Sequence, residues 1–175
     1  MARGWTFGLI VLATLIQGYQ TNAAPPDTPA QLSGLFIQSC LAFAGDATAL
    51  RSWARRTGLT ELPDPARTAF LHGAAGVAFD ASAPGTKLVL ASSDDGICSV
   101  ITNEVASAAV TQALEAGLTR IGVAFRLAIE RDDKQIPTVH DREYLATRNG
   151  RSWRILAATV TGSQPGQAML TAAPE

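Results

Sequence analysis

The fold of this chain is organised around one apolar segment, Gly96-Ile97-Cys98-Ser99-Val100-Ile101-Thr102. Apolar residues on both faces of a short run are typical of an inner strand that is covered on two sides. Asp94-Asp95 precedes Gly96 and predicts a tight turn leading into this strand. We therefore expect a central strand at this position, with the other strands on either side of it.

The chain contains two cysteines, Cys40 and Cys98. Cys40 follows Leu32 and Phe36 at helical spacing, so the three side chains are predicted to share the buried face of the first helix. In an exported chain, two cysteines indicate one disulfide, which would join this helix to the central strand. Two buried free thiols are the alternative. The spacing excludes a Cys-x-x-Cys redox pair and offers no zinc site, so no metal is predicted.

Residues 1–23 have the pattern of a secretory signal peptide. Arg3 supplies a positive charge, residues 4–16 are uncharged and mostly apolar, and Thr21-Asn22-Ala23 places small residues before a cleavage point. An uncleaved anchor is the alternative, but a run of about thirteen residues is shorter than the roughly 20 that span a bilayer. We predict cleavage after Ala23, a periplasmic or secreted location, and no stable membrane insertion of the mature protein.

The composition of the full sequence is that of an ordinary globular protein. Apolar residues make up 47% of the sequence and charged residues 17%, which argues against disorder. The net charge of −1 provides no basic stripe for nucleic acid. We predict a single α+β domain over residues 24–161. Residues 162–175 are rich in Gly, Gln, Pro and Ala and are predicted to form a flexible tail.

The periodicity of the apolar residues changes from helical to extended after Gly73. Short hairpin connections favour a mostly antiparallel sheet of about six strands, with the N-terminal helices and one mid-chain helix packed on one face. Alternation over residues 121–130 predicts an apolar face, with Arg126 and Glu130 together on the other. The predicted helices cover residues 29–44, 47–57, 65–71 and 104–116. The predicted strands cover residues 76–81, 87–92, 96–102, 121–130, 138–148 and 152–161.

The densest polar run of the sequence is His140-Asp141-Arg142-Glu143-Tyr144. On a strand, His140, Arg142 and Tyr144 share one face. With Arg126 they form a candidate ligand-binding site, in which His140 would carry protons and Arg142 would bind an anion. The alternative is the solvated face of an edge strand, whose charges discourage edge-to-edge pairing. No nucleotide-binding, serine-nucleophile or metalloprotease motif is present, and no cofactor is predicted.

Three short motifs carry a resemblance to a known group of proteins. They are Phe36-x-x-x-Cys40-Leu41, Phe70-Leu71-x-Gly73-x-x-Gly76 and Gly96-x-Cys98. Together with the export signal, they resemble small exported proteobacterial proteins that have no assigned function. The resemblance implies export and a disulfide, and it transfers no catalytic residue. Some members of that group carry a lipoprotein cysteine, which this chain lacks.

The sequence favours an exported, non-enzymatic protein that binds a protein or small-molecule partner. The reason is that it specifies a core clearly but shows no set of residues that would converge on a catalytic site. One alternative is a small periplasmic hydrolase-type enzyme using His140 with a carboxylate from a neighbouring strand. Another is a structural component of an envelope assembly, which would show an exposed apolar patch or a regular oligomer.

Overall fold

The computed structural model describes residues 27–103, 105, 107–148, 150–160 and 166–175. The predicted signal peptide, residues 1–23, lies outside the described residues. The helices are α1 (Thr28–Phe36), which a π-helical turn continues (Ile37–Leu41), α2 (Ala47–Arg56), α3 (Asp64–Phe70) and α4 (Ser107–Arg120). The strands are β1 (Thr60–Glu61), β2 (Gly76–Asp80), β3 (Val89–Ser93), β4 (Cys98–Thr102), β5 (Ala124–Asp132), β6 (Val139–Arg148), β7 (Arg151–Val160) and β8 (Ala168–Pro174).

The described strands form one sheet in the order β1-β2-β3-β4-β8-β7-β6-β5, and all neighbours are antiparallel. The predicted α+β class and antiparallel sheet are therefore confirmed. The predicted number of about six strands is too low, because β1 and β8 were not foreseen. β1 has only two residues, so it leaves no detectable period in the sequence.

Strand β8 overturns the prediction of a flexible tail over residues 162–175 where it covers Ala168–Pro174, while positions 162–165 of that prediction lie outside the described residues. It lies in the middle of the sheet and pairs with β4 on one side and β7 on the other. Alanine is depleted in strands, so the segment has a weak strand propensity. The two neighbouring strands supply the hydrogen-bond partners that hold it extended. Its inward residues Ala168, Leu170 and Ala172 are buried, so the domain reaches to Pro174.

The predicted central strand is confirmed as β4, which lies between β3 and β8. Its first residue, Cys98, forms a disulfide with Cys40, and the two Cα atoms are 5.3 Å apart. Both cysteines are buried, and the alternative of two free thiols is wrong. The bond joins the π-helical turn after α1 to the centre of the sheet.

The main core lies between the sheet and three of the helices. α1 contacts β4, β8 and α4, while α2 contacts β3 and α4 contacts β5 and β7. The sheet contributes alternate residues of each strand to this face. Those that are fully buried include Phe79, Leu90, Val100, Leu170, Ile155 and Tyr144.

Helix α4 extends four residues beyond its predicted end at Ala116, through Gly117 to Arg120. A Cβ atom at Gly117 would lie 2.5 Å from Cδ1 of Ile37 and 3.0 Å from Oγ of Ser33. The hydroxyl of Ser33 also donates a hydrogen bond to the carbonyl of Ala113, at 3.0 Å. Gly117 therefore marks the close crossing of α1 and α4, and it does not end the helix.

The other face of the sheet, called the open face below, is covered much less. Its residues on β4, β8 and β7, including Ile101, Met169 and Leu156, are only partly buried. The short helix α3 packs against β2 at the margin of this face, where the Arg67 guanidinium donates to the carbonyl of Gly76 at 3.1 Å. The expectation that every helix packs on one face is therefore wrong for α3.

Candidate functional site

The structure brings three of the four predicted site residues together. His140, Arg142 and Tyr144 lie on β6 and face the helix side of the sheet, as their alternation predicts. Glu115 of α4 and Glu130 and Asp132 of β5 approach them from neighbouring elements. These six side chains are called the polar ladder below. β6 pairs with both β5 and β7, so the alternative of an edge strand is wrong for this run.

Tyr144 forms the buried end of the polar ladder. Its side chain is fully buried, and its ring packs edge-to-face on Phe125 with the ring centroids 5.9 Å apart. The Tyr144 hydroxyl donates a hydrogen bond to Oε1 of Glu115, at 2.7 Å. The pKa of Tyr144 is raised well above its usual range, mainly by burial and in second place by this hydrogen bond to a carboxylate. The hydroxyl is therefore a donor that ties α4 to the sheet.

Arg142 and His140 form the outer part of the polar ladder. Nε of Arg142 donates to Glu130 at 2.8 Å, and Nη1 lies 3.3 Å from Glu115. The His140 ring nitrogens lie 3.0 Å from Asp132 and 3.2 Å from Glu130. The bond to Asp132 is the main cause that raises the pKa of His140, while the bond from Arg142 is the main cause that lowers the pKa of Glu130.

The fourth predicted residue, Arg126, lies on the opposite face of the sheet. It is paired in register with Leu145, the neighbour of Tyr144, and adjacent residues on a strand point to opposite faces. A β-bulge between Leu127 and Ile129 then shifts the alternation, so that Glu130 faces the helices. The prediction that Arg126 and Glu130 share a face is wrong because it assumed an unbroken period of two.

The side chains of the polar ladder form hydrogen bonds and ion pairs with one another. The cationic groups that would bind an anion already bind carboxylates of the chain itself, from α4 and β5. An incoming anion would have to displace them, so the described contacts favour a role in fixing α4 on the sheet. A ligand at Arg126, His140, Arg142 or Tyr144 stays a prediction.

We expect the polar ladder to make the stability of the protein depend on pH. Both ring nitrogens of His140 face carboxylates, and only the protonated ring donates from both. Since the folded pKa is raised, this stabilisation is complete below the unfolded value of ~6.5 and is lost as the pH rises through the folded pKa. At pH 6 the Tm of His140→Gln should lie about 2 °C below that of the wild type, and at pH 8.5 the gap should close.

Thermal unfolding followed by circular dichroism would measure both gaps. His72→Gln is the matched control, because the other histidine of the chain is exposed and its ring makes no hydrogen bond to another described side chain. If the Tm difference between the wild type and His140→Gln were the same at both pH values, protonation of His140 would not be its cause.

A trough on the open face is the site that sequence reasoning missed. It lies at the end of the sheet where β3, β8 and β6 begin, and its volume is about 780 Å³. This is within the range of roughly 300–1,000 Å³ that is typical of small-molecule sites. The floor is a single row of register partners on four adjacent strands, Val89, Ile101, Met169 and Ala158.

The trough has a large apolar side chain at each end and a polar rim. Phe70 of α3 borders it on the β2 side, and Ile136, from the connection between β5 and β6, borders it on the opposite side. Ile136 is an exposed large apolar side chain, with 57% of its surface accessible. The charged and amide side chains that line the trough are all exposed: His72, Asp80, Lys87, Asn103 and Gln167.

Two residues of the rim near α3 have distinct local structures. The pKa of Asp80 lies below its usual range because the side chain and backbone N–H of Ser82 donate to its carboxylate, the latter at 2.9 Å. His72 has a φ of 49°, in the left-handed region that residues other than glycine rarely adopt. Such a conformation costs on the order of 1 kcal/mol and often occurs where a side chain has a functional position.

The next question is whether known proteins resemble this chain. Comparisons with protein-family models, curated proteins and solved structures found no match. The resemblance to small exported proteobacterial proteins therefore stays a prediction.

The sequence did contain a partial signal for the trough. In β8, Met169 and Thr171 alternate with Ala168, Leu170 and Ala172, which is the period of a strand. Recognising that strand would have placed Met169 on a sheet face. Its position beside Ile101 and Ala158 follows only from the strand order.

Proposed function

We propose that the mature chain is an exported, non-enzymatic protein that binds a small, mainly apolar ligand in the trough. The observation that best supports this proposal is the difference in burial between the two faces of the same strands. On the helix side, Leu90, Val100 and Leu170 are fully buried, whereas their neighbours Val89, Ile101 and Met169 are only partly buried on the open face. A ligand over the floor would remove this apolar surface from water, at about 25 cal/mol per Å².

Helix α3 supports the same proposal. None of its residues is buried, although Phe70 borders the trough. A short helix in water obtains most of its stability from packing rather than from its own propensity. A ligand between Phe70 and the floor would supply packing that α3 lacks in the free protein.

Export is supported by the disulfide and by the N-terminal pattern. Disulfides persist in oxidising compartments and are rare in the reducing cytosol. The Cys40–Cys98 bond is buried in the core. Within the described part of the chain, no helix combines the length and the apolarity that crossing a bilayer requires.

Binding of the neutral dye phenylnaphthylamine, whose fluorescence rises in apolar surroundings, would test the proposal. Ile101→Asp should weaken dye binding by at least tenfold, because it places a carboxylate on the apolar floor. Ile97→Asp is the matched control, since it makes the same change at the residue just before β4, outside the trough. Its affinity should stay within about twofold of the wild type.

Two results would contradict the proposal. The first is equal dye binding by the two variants, and the second is no saturable binding by the wild-type protein. Circular dichroism and the intact disulfide would verify that both variants are folded.

A hydrolase-type enzyme is the second candidate, and one observation favours it. His140 lies within hydrogen-bond distance of Asp132 on the neighbouring strand, as the sequence-based hypothesis requires. However, His140 does not line the trough, and Glu130 occupies its second nitrogen. Hydrolysis of a substrate that is abolished in His140→Gln and unchanged in Ile101→Asp would favour this candidate over the binding protein.

A further inference from the structure

We infer that the ligand of the trough is a single extended hydrocarbon chain that lies across β3, β4, β8 and β7, with its polar head beside α3. The inference rests on the proposed function and names the class of ligand. It depends on the shape of the trough, on its polarity and on the difference between its two ends.

The shape of the trough fits an extended chain. Its lining residues reach from Asp80 on β2 to Val139 on β6, and these strands are five positions apart in the sheet. With neighbouring strands ~4.8 Å apart, the trough is about 24 Å long. Along the strands the lining is short, since at β3, β4 and β8 it covers only positions 87–89, 101–103 and 167–169. The trough is therefore much longer across the strands than along them, and an extended, unbranched chain fits this elongated outline.

The polarity of the floor requires an apolar ligand body. Val89, Ile101, Met169 and Ala158 present no hydrogen-bonding side chain along this row. A polar group held over them would lose its water without gaining a partner, which is costly. The part of the ligand that crosses the four strands is therefore hydrocarbon.

The two ends of the trough differ, and the difference orients the chain. Beside α3 and β2, next to Phe70, lie His72, Asp80 and Ser82, which offer an imidazole, a carboxylate and a hydroxyl. At the β6 side lie Ile136, Val139 and Val160, which are apolar. At the first end, the ionised Asp80 accepts a hydrogen bond from the polar head of the ligand. At the second end, the hydrocarbon tail contacts Ile136.

Displacement of phenylnaphthylamine by straight-chain primary alcohols tests the inference. The affinity should rise about fourfold for each added methylene, and it should stop rising once the chain fills the trough. Compact, cage-shaped alcohols with the same number of carbon atoms should bind at least tenfold more weakly than the straight chains.

Two tryptophan variants test the orientation. Ala158→Trp narrows the tail end, so long alcohols should lose affinity while short ones bind as to the wild type. Val89→Trp, next to Asp80 in the register, narrows the head end and should weaken alcohols of every length. If Ala158→Trp does not fold, Ala158→Leu provides a smaller obstruction at the same place.

The possible outcomes separate this inference from the proposed function. Equal affinity for straight and compact alcohols would overturn the extended chain and leave the binding function standing. If Ala158→Trp weakened alcohols of every length and Val89→Trp weakened only the long ones, the orientation would be overturned. Absence of saturable dye binding to the wild type would overturn both the function and the inference.

Discussion

Removal of residues 168–175 is expected to abolish cooperative folding. These residues include β8, which joins the β1–β4 half of the sheet to the β5–β7 half. Without it, β4 and β7 would each lose a complete ladder of backbone partners. The fully buried side chains of Val100 and Ile155 would also become exposed along that gap. Each buried backbone group left without a partner costs free energy comparable to a lost hydrogen bond.

Thermal and urea unfolding of the truncated protein would measure this effect. A flexible tail could be removed without changing the Tm, so an unchanged transition would refute the central position of β8. Leu170→Ala gives an independent measurement in a chain of full length. Leu170 is fully buried, and the variant should lose about 3 kcal/mol of the free energy of unfolding. Thr171→Ala on the open face is the matched control, and its loss should be smaller.

Loss of the disulfide is expected to be the next largest effect. Cys40 and Cys98 are separated by 58 positions in the sequence. Closing a loop of this length restricts the unfolded chain, which corresponds to about 4 kcal/mol of stability. For a chain of this size, the double variant Cys40→Ala/Cys98→Ala should unfold about 10 °C below the wild type.

Urea unfolding with and without a reducing agent supplies the control. The reductant should destabilise the wild-type protein and leave the double variant unaffected, because the variant has no bond to reduce. Mass spectrometry under non-reducing conditions should find the peptides of Cys40 and Cys98 linked. Free thiols at both positions in the purified, non-reduced protein would contradict the structure.

The candidate site illustrates where local patterns succeed and where they fail. Alternation correctly placed His140, Arg142 and Tyr144 on one face of β6, because each step depends only on neighbouring residues of a regular strand. The same rule misplaced Glu130 relative to Arg126, because the bulge between Leu127 and Ile129 adds a residue that no local composition announced. The carboxylate partner Glu115 was also missed, since it comes from a helix distant in sequence.

The sequence by itself determined the class of the fold, six of the eight strands in the described part of the chain and the pairing of the two cysteines. These features depend on hydrophobic periodicity, on turn residues and on there being two cysteines, all of which can be read along the chain. Only the tertiary structure decided that residues 168–174 complete the sheet, and this in turn created the trough. Strand order is set by contacts between segments far apart in sequence, such as Ile101 beside Met169. A weakly strand-forming segment can occupy the centre of a sheet because its neighbours supply its hydrogen bonds, and its own residues do not reveal this.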